Sequence, residues 1–449
     1  MTNSNTSSQE KFSQFNSFIP YEGKILAFNA YSKQFMVLEP LLHELIQAAQ
    51  HEENPAGICE IHPSFHQELV SHGFIVAHDL DEVGLIKALR EKVDFNEEHY
   101  QLTINPTMNC NFKCWYCYES HVKGSKMTGN TRNRLEKHVS KILLEKNTLK
   151  KFHISWFGGE PMLYFEQVVK PIVAHTLREA NNRGVKFSTS FTTNGYLIKE
   201  HMIPFLQNHR VDHFQITLDG HREMHNQIRY TANKKGTYDQ IINSIKLLIS
   251  HGLYVMVRIN YTGETLDNIE SVIEDFADIT SQDKHNMKFS FHNVWQDNDP
   301  STDKLERIIT NFRLHGFYTE SLYSLVDTVS HSCYADKKNH ATVNYNGEVF
   351  KCTARDFHSQ NKEGMLMENG DIVWGEKYHK RMDIKFKNKP CLECRLLPIC
   401  NGGCSQQALE YLAAGKEYCI WEDSGVAKDQ LIISRFKQHM EHLHRVAAV

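Results

Sequence analysis

No stretch of this 449-residue sequence is apolar and long enough to cross a bilayer, and the mean hydropathy is −0.49. The opening residues, MTNSNTSSQEKF, lack the basic-then-apolar order of a secretion signal, so the expected location is the cytoplasm. Net charge is also small, −4 at neutral pH, and Lys234–Lys235 and Lys337–Lys338 stand as isolated basic pairs on a solvated surface. A weak, scattered charge gives no general pull on nucleic acid or anionic lipid, so neither is an expected partner. No internal repeat is present. The 27 histidines are scattered, with no HxxxH pair in the cysteine-rich regions, and most read as surface or core residues. The closing HMEHLH (439–444) reads as the end of an amphipathic helix.

Cysteine, by contrast, is plentiful. There are eleven, and in a reducing compartment clustered cysteines are more often metal ligands or catalysts than disulfides. Ten of the eleven fall into two dense patterns. Cys59 stands alone and is expected to be a buried apolar thiol.

Residues 1–95 form a first region. The alternating LAFNAYSKQFMVLEP (26–40) predicts a strand pair, LLHELIQAAQ (41–50) a helix, and HQELVSHGFIVAH (66–78) a short helix running into a strand. From 96 to 320 the rhythm changes to short apolar runs alternating with longer amphipathic ones. The runs are YQLTIN (100–105), FHISWF (152–157), KFSTSFTT (186–193), FQITLD (214–219), YVMVRIN (254–260) and KFSFHNV (288–294). Helical patterns lie between them, at 131–146, 166–182, 238–251 and 265–278. Six such units predict an α/β fold with a parallel sheet and helices outside it, either an open doubly wound sheet or a partial barrel. Residues 325–425 are rich in cysteine, glycine and turns with little periodicity, as expected where clusters rather than apolar burial hold a fold. Residues 426–449 predict a helix.

Cys110, Cys114 and Cys117 lie in CNFKCWYC, directly after the first strand of the repeated region. A cubane [4Fe–4S] cluster takes four ligands, usually thiolates, and three on one tight loop leave one iron open. A zinc site whose fourth ligand comes from elsewhere is the other reading of the loop alone. With Tyr116 before its last cysteine, CxxxCxxC resembles the signature of the radical S-adenosylmethionine (SAM) superfamily. The resemblance continues at successive strand ends: Gly158, Gly159, Glu160 and Pro161 resemble the family's GGEP segment, followed by TTNG (192–195), TLDG (217–220), and Arg258 with Asn260. It implies a partial (β/α)6 barrel of the TIM-like radical SAM type. It also implies that the open iron chelates the amino and carboxylate groups of SAM, and that an electron from the cluster releases a 5′-deoxyadenosyl radical. Gly158, Gly159 and Glu160 would then receive the SAM ammonium. Thr192, Asn194 and Thr217 would lie by its ribose or methionine part and Arg258 near its carboxylate, with Tyr116 and Asn260 also among the cofactor-binding residues. Asp219 is a candidate base, although the TLDG turn alone explains an aspartate there.

The later cysteines are Cys333, Cys352, Cys391, Cys394, Cys400, Cys404 and Cys419. Zinc knuckles are one reading of such clusters. This seven-cysteine pattern, with CLECRLLPICNGGC at its centre, resembles the SPASM domain of peptide-modifying radical SAM enzymes, which holds two auxiliary [4Fe–4S] clusters. By that resemblance Cys391, Cys394, Cys400 and Cys419 hold an outer cluster. Cys333, Cys352 and Cys404 hold an inner one, which is left one thiolate short because no cysteine lies between Cys333 and Cys352. An open or non-cysteine-ligated iron is therefore expected there, filled by a substrate thiolate, water, His331 or Asp336.

The resemblance implies three [4Fe–4S] clusters, SAM, and an electron donor such as flavodoxin or ferredoxin. Its implied function is maturation of a ribosomally made peptide. Residues 1–95 would be a winged-helix-like segment that pairs a strand with the precursor's leader, and the product a thioether or carbon–carbon crosslink. The alternatives are an anaerobic sulfatase maturase, which makes formylglycine, and a cluster-bearing scaffold that only binds a peptide.

Overall fold

The computed structural model describes residues 10–297, 302–319, 332–421 and 424–447. Two compact units emerge, and neither is continuous in sequence. One comprises Met1–Phe95, Tyr323–Lys337 and Lys380–Val449; the other comprises Asn96–Leu322 and Lys338–His379.

The larger unit is α/β. Its sheet has eleven strands, beginning with Tyr318–Thr319, Met287–Asn293, Val255–Tyr261, Val211–Leu218, Lys186–Thr193, Lys151–Trp156, His99–Ile104 and His340–Val343, all parallel. Three antiparallel strands complete it: Glu348–Phe350, Gly364–Leu366 and Ile372–Trp374. The six predicted apolar runs all fall on parallel strands. Their side chains alternate. Phe152, Ile154, Trp156, Phe187, Phe191, Phe214, Ile216, Leu218, Val255, Val257 and Ile259 are buried in one core. The intervening His153, Ser155, Ser188 and Ser190 bond to one another on the opposite face: His153 Nδ1 and Nε2 lie 2.8 and 2.9 Å from the Ser188 and Ser190 hydroxyls. A parallel sheet covered by helices on both sides would be apolar throughout, so this polar face marks a lined interior.

The helices Gly129–Glu145, Lys170–Asn181 and Tyr238–Ser250 supply the apolar core with Leu135, Val139, Ile172, Val173, Ile241, Ile245 and Leu248. Thr128 caps the first, accepting from the Thr131 amide at 3.2 Å. The helix expected at 265–278 does not form as such. Only Ser271–Glu274 is helical and turns fill the remainder, although Leu266, Ile269, Val272, Ile273 and Phe276 are still buried. Their spacing comes from turns that bury the same residues. Residues 338–379, expected to have little regular structure, instead contribute four strands to this sheet.

In the smaller unit, Asn16–Tyr21, Lys24–Asn29 and Gln34–Leu38 form an antiparallel sheet. Its first turn is Glu22–Gly23, with φ of 49° and 76°; two positive angles in a two-residue loop match the twist of the flanking strands. Helices Pro40–His51, Gly57–Ile61 and Pro63–Ser71 follow, and Glu10–Phe12 pairs with Ile75–Ala77. Alternate residues of the sheet feed two cores. Ala27 and Leu38 pack with Ile46, Ile58, Phe65, Leu69 and Phe74. Ile19, Leu26 and Phe28 pack with Leu396, Leu397 and Ile399 of the cysteine-rich segment, and with Leu431, Ile432 and Phe436 of the helix Gly425–Ala447. Cys59 is exposed, not buried; on its short helix the apolar face belongs to Ile58.

Among the described residues, no helix is long and apolar enough to cross a membrane.

Candidate active site and cysteine-lined cavity

In the larger unit the loop after His99–Ile104 carries Cys110, Cys114 and Cys117. Close backbone approach holds this loop against the end of the next strand. Gly158 has φ +95°, and a Cβ there would stand 2.6 Å from the Thr107 carbonyl oxygen; at Gly159 it would stand 2.3 Å from that of Asn109. Neither position has room for a side chain. The Gly159 and Glu160 amides donate to the Thr107 and Asn109 carbonyls at 3.1 and 2.9 Å.

Glu160 is fully buried. Its Oε1 accepts from the Met162 amide at 2.9 Å and from the Thr193 hydroxyl at 2.7 Å, and its Oε2 from the Asn194 amide at 2.8 Å. Burial pushes its pKa up, against the pull of those three donors. Asn194 turns its side-chain amide to Asn111 at 2.8 Å and towards Cys110 Sγ at 3.9 Å. Thr193, the neighbour of the expected Thr192, is thus the threonine joined to Glu160. Thr192 is half-buried, in register with Gln215 of the next strand.

Tyr116 closes the site from the loop side. Its hydroxyl donates to Asp219, at 2.8 and 2.7 Å from the two carboxylate oxygens, and accepts from Arg229 Nη1 at 2.8 Å and Asn260 Nδ2 at 3.1 Å. Arg229 also faces Asp219 Oδ2 at 3.4 Å, and Arg258 Nε donates to Asn260 Oδ1 at 2.8 Å. Thr217 and Arg258 sit side by side in the strand register. One network therefore joins Tyr116, Asp219, Asn260 and Arg258, four of the residues singled out in the sequence. Asp219 is fully buried and burial raises its pKa, while Arg229 and the Tyr116 hydroxyl oppose the rise. His225 accepts from the Asp219 amide at 3.2 Å through Nδ1. Within the TTNG segment sequence reasoning selects Thr192 where the structure uses Thr193, and it misses Arg229 and His225 altogether. Neither Arg229 nor His225 belongs to a recurrent spacing, and only the fold brings them to the strand ends.

The three loop thiols suit a charged iron centre. Without one, burial pushes Cys110 up to about 12 and Cys117 up to about 11, values at which the thiolate needs a cationic partner.

In the smaller unit Cys391, Cys394, Cys400 and Cys419 line a single cavity with Leu397, Gly402, Gly403, Tyr418 and Trp421. Asn388 Nδ2 donates to Cys391 Sγ at 3.2 Å, and the Trp421 amide to Cys419 Sγ at 3.4 Å. The Trp421 indole N–H is buried without a partner, and burial pushes Cys400 up to about 12. Among the described residues no three His, Cys, Asp or Glu side chains close on one point as a single ion requires. Four cysteines lining one cavity, with an orphaned donor in its wall, fit a multi-iron cluster. Cys333 and Cys404 belong to this unit, and Cys352 to the other. Of the two side chains expected to complete an inner cluster, His331 lies outside the described residues. Asp336 is buried and paired with Lys385 at 3.0 Å.

Residues 104–276 match the Radical SAM superfamily, a stretch that contains the CxxxCxxC loop, Glu160, Asn194, Asp219, Arg229, Arg258 and Asn260. The chain is 29% identical over 169 residues to a cysteine-type anaerobic sulfatase-maturating enzyme of Clostridium novyi, a match covering 36% of this chain and less than half, 44%, of that protein. The corresponding enzyme of Clostridium perfringens is 24% identical over 346 residues, covering 68% of this chain and 88% of the relative. Among solved structures, native anSMEcpe with bound AdoMet has a TM-score of 0.57 at 20% identity, over 77% of this chain and 99% of that one. Streptococcus suis SuiB bound to S-adenosylmethionine has a TM-score of 0.52 at 17% identity, over 92% and 99%. SuiB bound to its precursor peptide SuiA gives the same score at 15% identity, over 92% and 100%. Residues 104–276 are therefore a radical SAM domain, and the chain shares the overall fold of anSMEcpe and SuiB.

Proposed function

We propose that this protein is a radical SAM peptide maturase, which installs a thioether or carbon–carbon crosslink in a ribosomally made precursor. The observation carrying this reading is the Tyr116–Asp219–Arg229–Asn260 network, built on the buried Asp219–Arg229 pair and set against a three-cysteine loop at the ends of a parallel sheet with a polar face. Such strand ends are where α/β folds bind ligands. A [4Fe–4S] cluster on Cys110, Cys114 and Cys117, with SAM on its open iron, would supply the 5′-deoxyadenosyl radical that takes a hydrogen atom from substrate.

The chain's own residues bind and orient. Arg258 offers a guanidinium to a carboxylate. Glu160, with a lone pair of Oε2 still open, offers an acceptor to an ammonium. Arg229 and the Tyr116 hydroxyl hold Asp219 fixed, so the loop carrying Tyr116 keeps one position relative to the strand ends. The polar face from His153 to Asn260 suits an amide-rich substrate.

A peptide with a leader is supported by the extent of the SuiB likeness. It reaches 92% of this chain and so takes in most of residues 1–95, whereas the likeness to anSMEcpe reaches 77%. The three-stranded sheet of that segment suits strand addition by an extended peptide. A sulfatase maturase is the second reading, favoured by the curated relatives that bear that name.

The test is anaerobic reconstitution followed by iron and sulfide counting, with SAM cleavage assayed under a strong reductant. The expected result is about twelve irons in wild type, about eight in the triple alanine variant of Cys110, Cys114 and Cys117, and 5′-deoxyadenosine from wild type alone. A zinc-loaded protein without SAM cleavage would overturn the reading at its base. Formylglycine formed on a cysteine peptide carrying a sulfatase motif would move the assignment to the second reading.

A further inference from the structure

The turn that runs from Cys400 to Cys404 rests on a buried cation. Lys385 points its ammonium at the Asn401 carbonyl at 3.0 Å, at the Gly403 carbonyl at 2.5 Å and at Asp336 Oδ2 at 3.0 Å. These three partners occupy its three N–H bonds. Both members of the ion pair are buried. Gly402 and Gly403, in the same turn, line the cavity formed by Cys391, Cys394, Cys400 and Cys419. The lysine thus lies directly beneath one wall of that cavity.

Burying a charge costs several kcal/mol even when it is paired. Burial works against the ammonium, yet Asp336 and Asp94 hold its pKa above the usual lysine value, so the charge is permanent. Asp336 spends only one oxygen on Lys385; its Oδ1 is buried without a partner. Further out, Asp94 is taken by Arg90 at 2.7 Å and by the Ser332 hydroxyl. Lys428 also lines the cavity but is half-buried, so water screens it. Lys385 and Asp336 are therefore a buried charge pair, little screened by water, set against the turn that carries Cys400.

We infer that the buried Lys385–Asp336 pair sets the reduction potential of the iron–sulfur cluster held by Cys391, Cys394, Cys400 and Cys419, with Lys385 raising it and Asp336 lowering it. This rests on the cluster-bearing function proposed above. Reduction adds one electron to the cluster, and the charge of its surroundings sets how readily it does so. A fixed cation in a medium of low dielectric stabilises the added negative charge, and a fixed anion opposes it.

The test is an anaerobic redox titration followed by electron paramagnetic resonance, on the reconstituted full chain. Iron and sulfide are counted on every sample. Lys385→Met is expected to shift the midpoint of one auxiliary signal to lower potential, and Asp336→Asn to higher. The double variant should return towards wild type, and Lys385→Arg should stay near it. Shifts of one sign in both single variants, or no shift in either at full iron content, would overturn the inference. Should Lys385→Met lose the cluster, Asp336→Asn decides by the same criterion; loss of iron in both would mean that the pair only supports the fold. A wild-type protein with just four irons would instead remove the cluster reading itself, and the iron count separates that outcome from the others.

Discussion

A guanidinium and a carboxylate buried side by side, sharing one phenol, behave as a unit. Arg229 lies 3.4 Å from Asp219, with the Tyr116 hydroxyl bonded to both. Removing the cation alone leaves a buried carboxylate whose remaining donor is neutral, which typically costs about 3–5 kcal/mol. Arg229→Met should lower stability by that order in urea unfolding, and adding Asp219→Asn should recover part of the loss. Strict additivity of the two substitutions would show that the residues are not coupled. His138 makes a different prediction at the same scale. Its ring bonds the Tyr100 hydroxyl and the Gly370 carbonyl, both at 2.8 Å, and burial holds its pKa well below the ordinary 6.5, at about 4. A depressed histidine favours the neutral ring in the fold. Its contribution is intact above about pH 6.5, is lost as pH falls from there to about 4, and amounts to about 3 kcal/mol. Thermal unfolding followed between pH 7.5 and 4.5 should show a shallower fall in Tm for His138→Gln than for wild type. An unchanged slope would place the acid sensitivity elsewhere, with His153, which burial also lowers to about 4, as the next residue to replace.

At the scale of elements, the six predicted runs became strands because alternation and turn residues at their ends act over a few positions, and this information is local. The strand pair within 26–40 and the helix Pro40–His51 were legible for the same reason. The expected helix at 265–278 shows the limit. Its apolar spacing is real and its residues are buried, but a chain of turns satisfies the same burial. Strand His340–Val343 was illegible for a second reason. It joins His99–Ile104 across more than two hundred residues, and four residues carry no periodicity to read. The two glycines at 158–159 lie between these cases: the motif marked them, but the carbonyl oxygens that exclude a side chain belong to Thr107 and Asn109, on another element.

For the whole molecule, the consequential feature is a core built from both chain ends. Phe436 meets Tyr21 edge-on at 5.6 Å and Phe35 at 5.4 Å, while Leu431 and Ile432 are fully buried among residues from the N-terminal sheet and the cysteine-rich segment. Deleting residues 425–449 should therefore strip protection from strands Asn16–Tyr21 and Lys24–Asn29 in hydrogen exchange, though they lie about four hundred residues away. Phe436→Ala alone should cost about 3–5 kcal/mol, less if the site collapses around the gap. Unchanged protection of those strands after the deletion would show that the N-terminal sheet is stable by its own helices.

The sequence by itself determined the chemistry: which cysteines come in which spacing, the glycine and carboxylate pattern that follows them, and the strands that carry both. Those are matters of covalent order and short-range preference. Tertiary structure alone decided which charges are buried together. Arg229 with Asp219, Lys385 with Asp336, and both chain ends in one core pair residues from ten to about four hundred positions apart. Burial and Coulomb energy depend on distance through space, which no local pattern encodes.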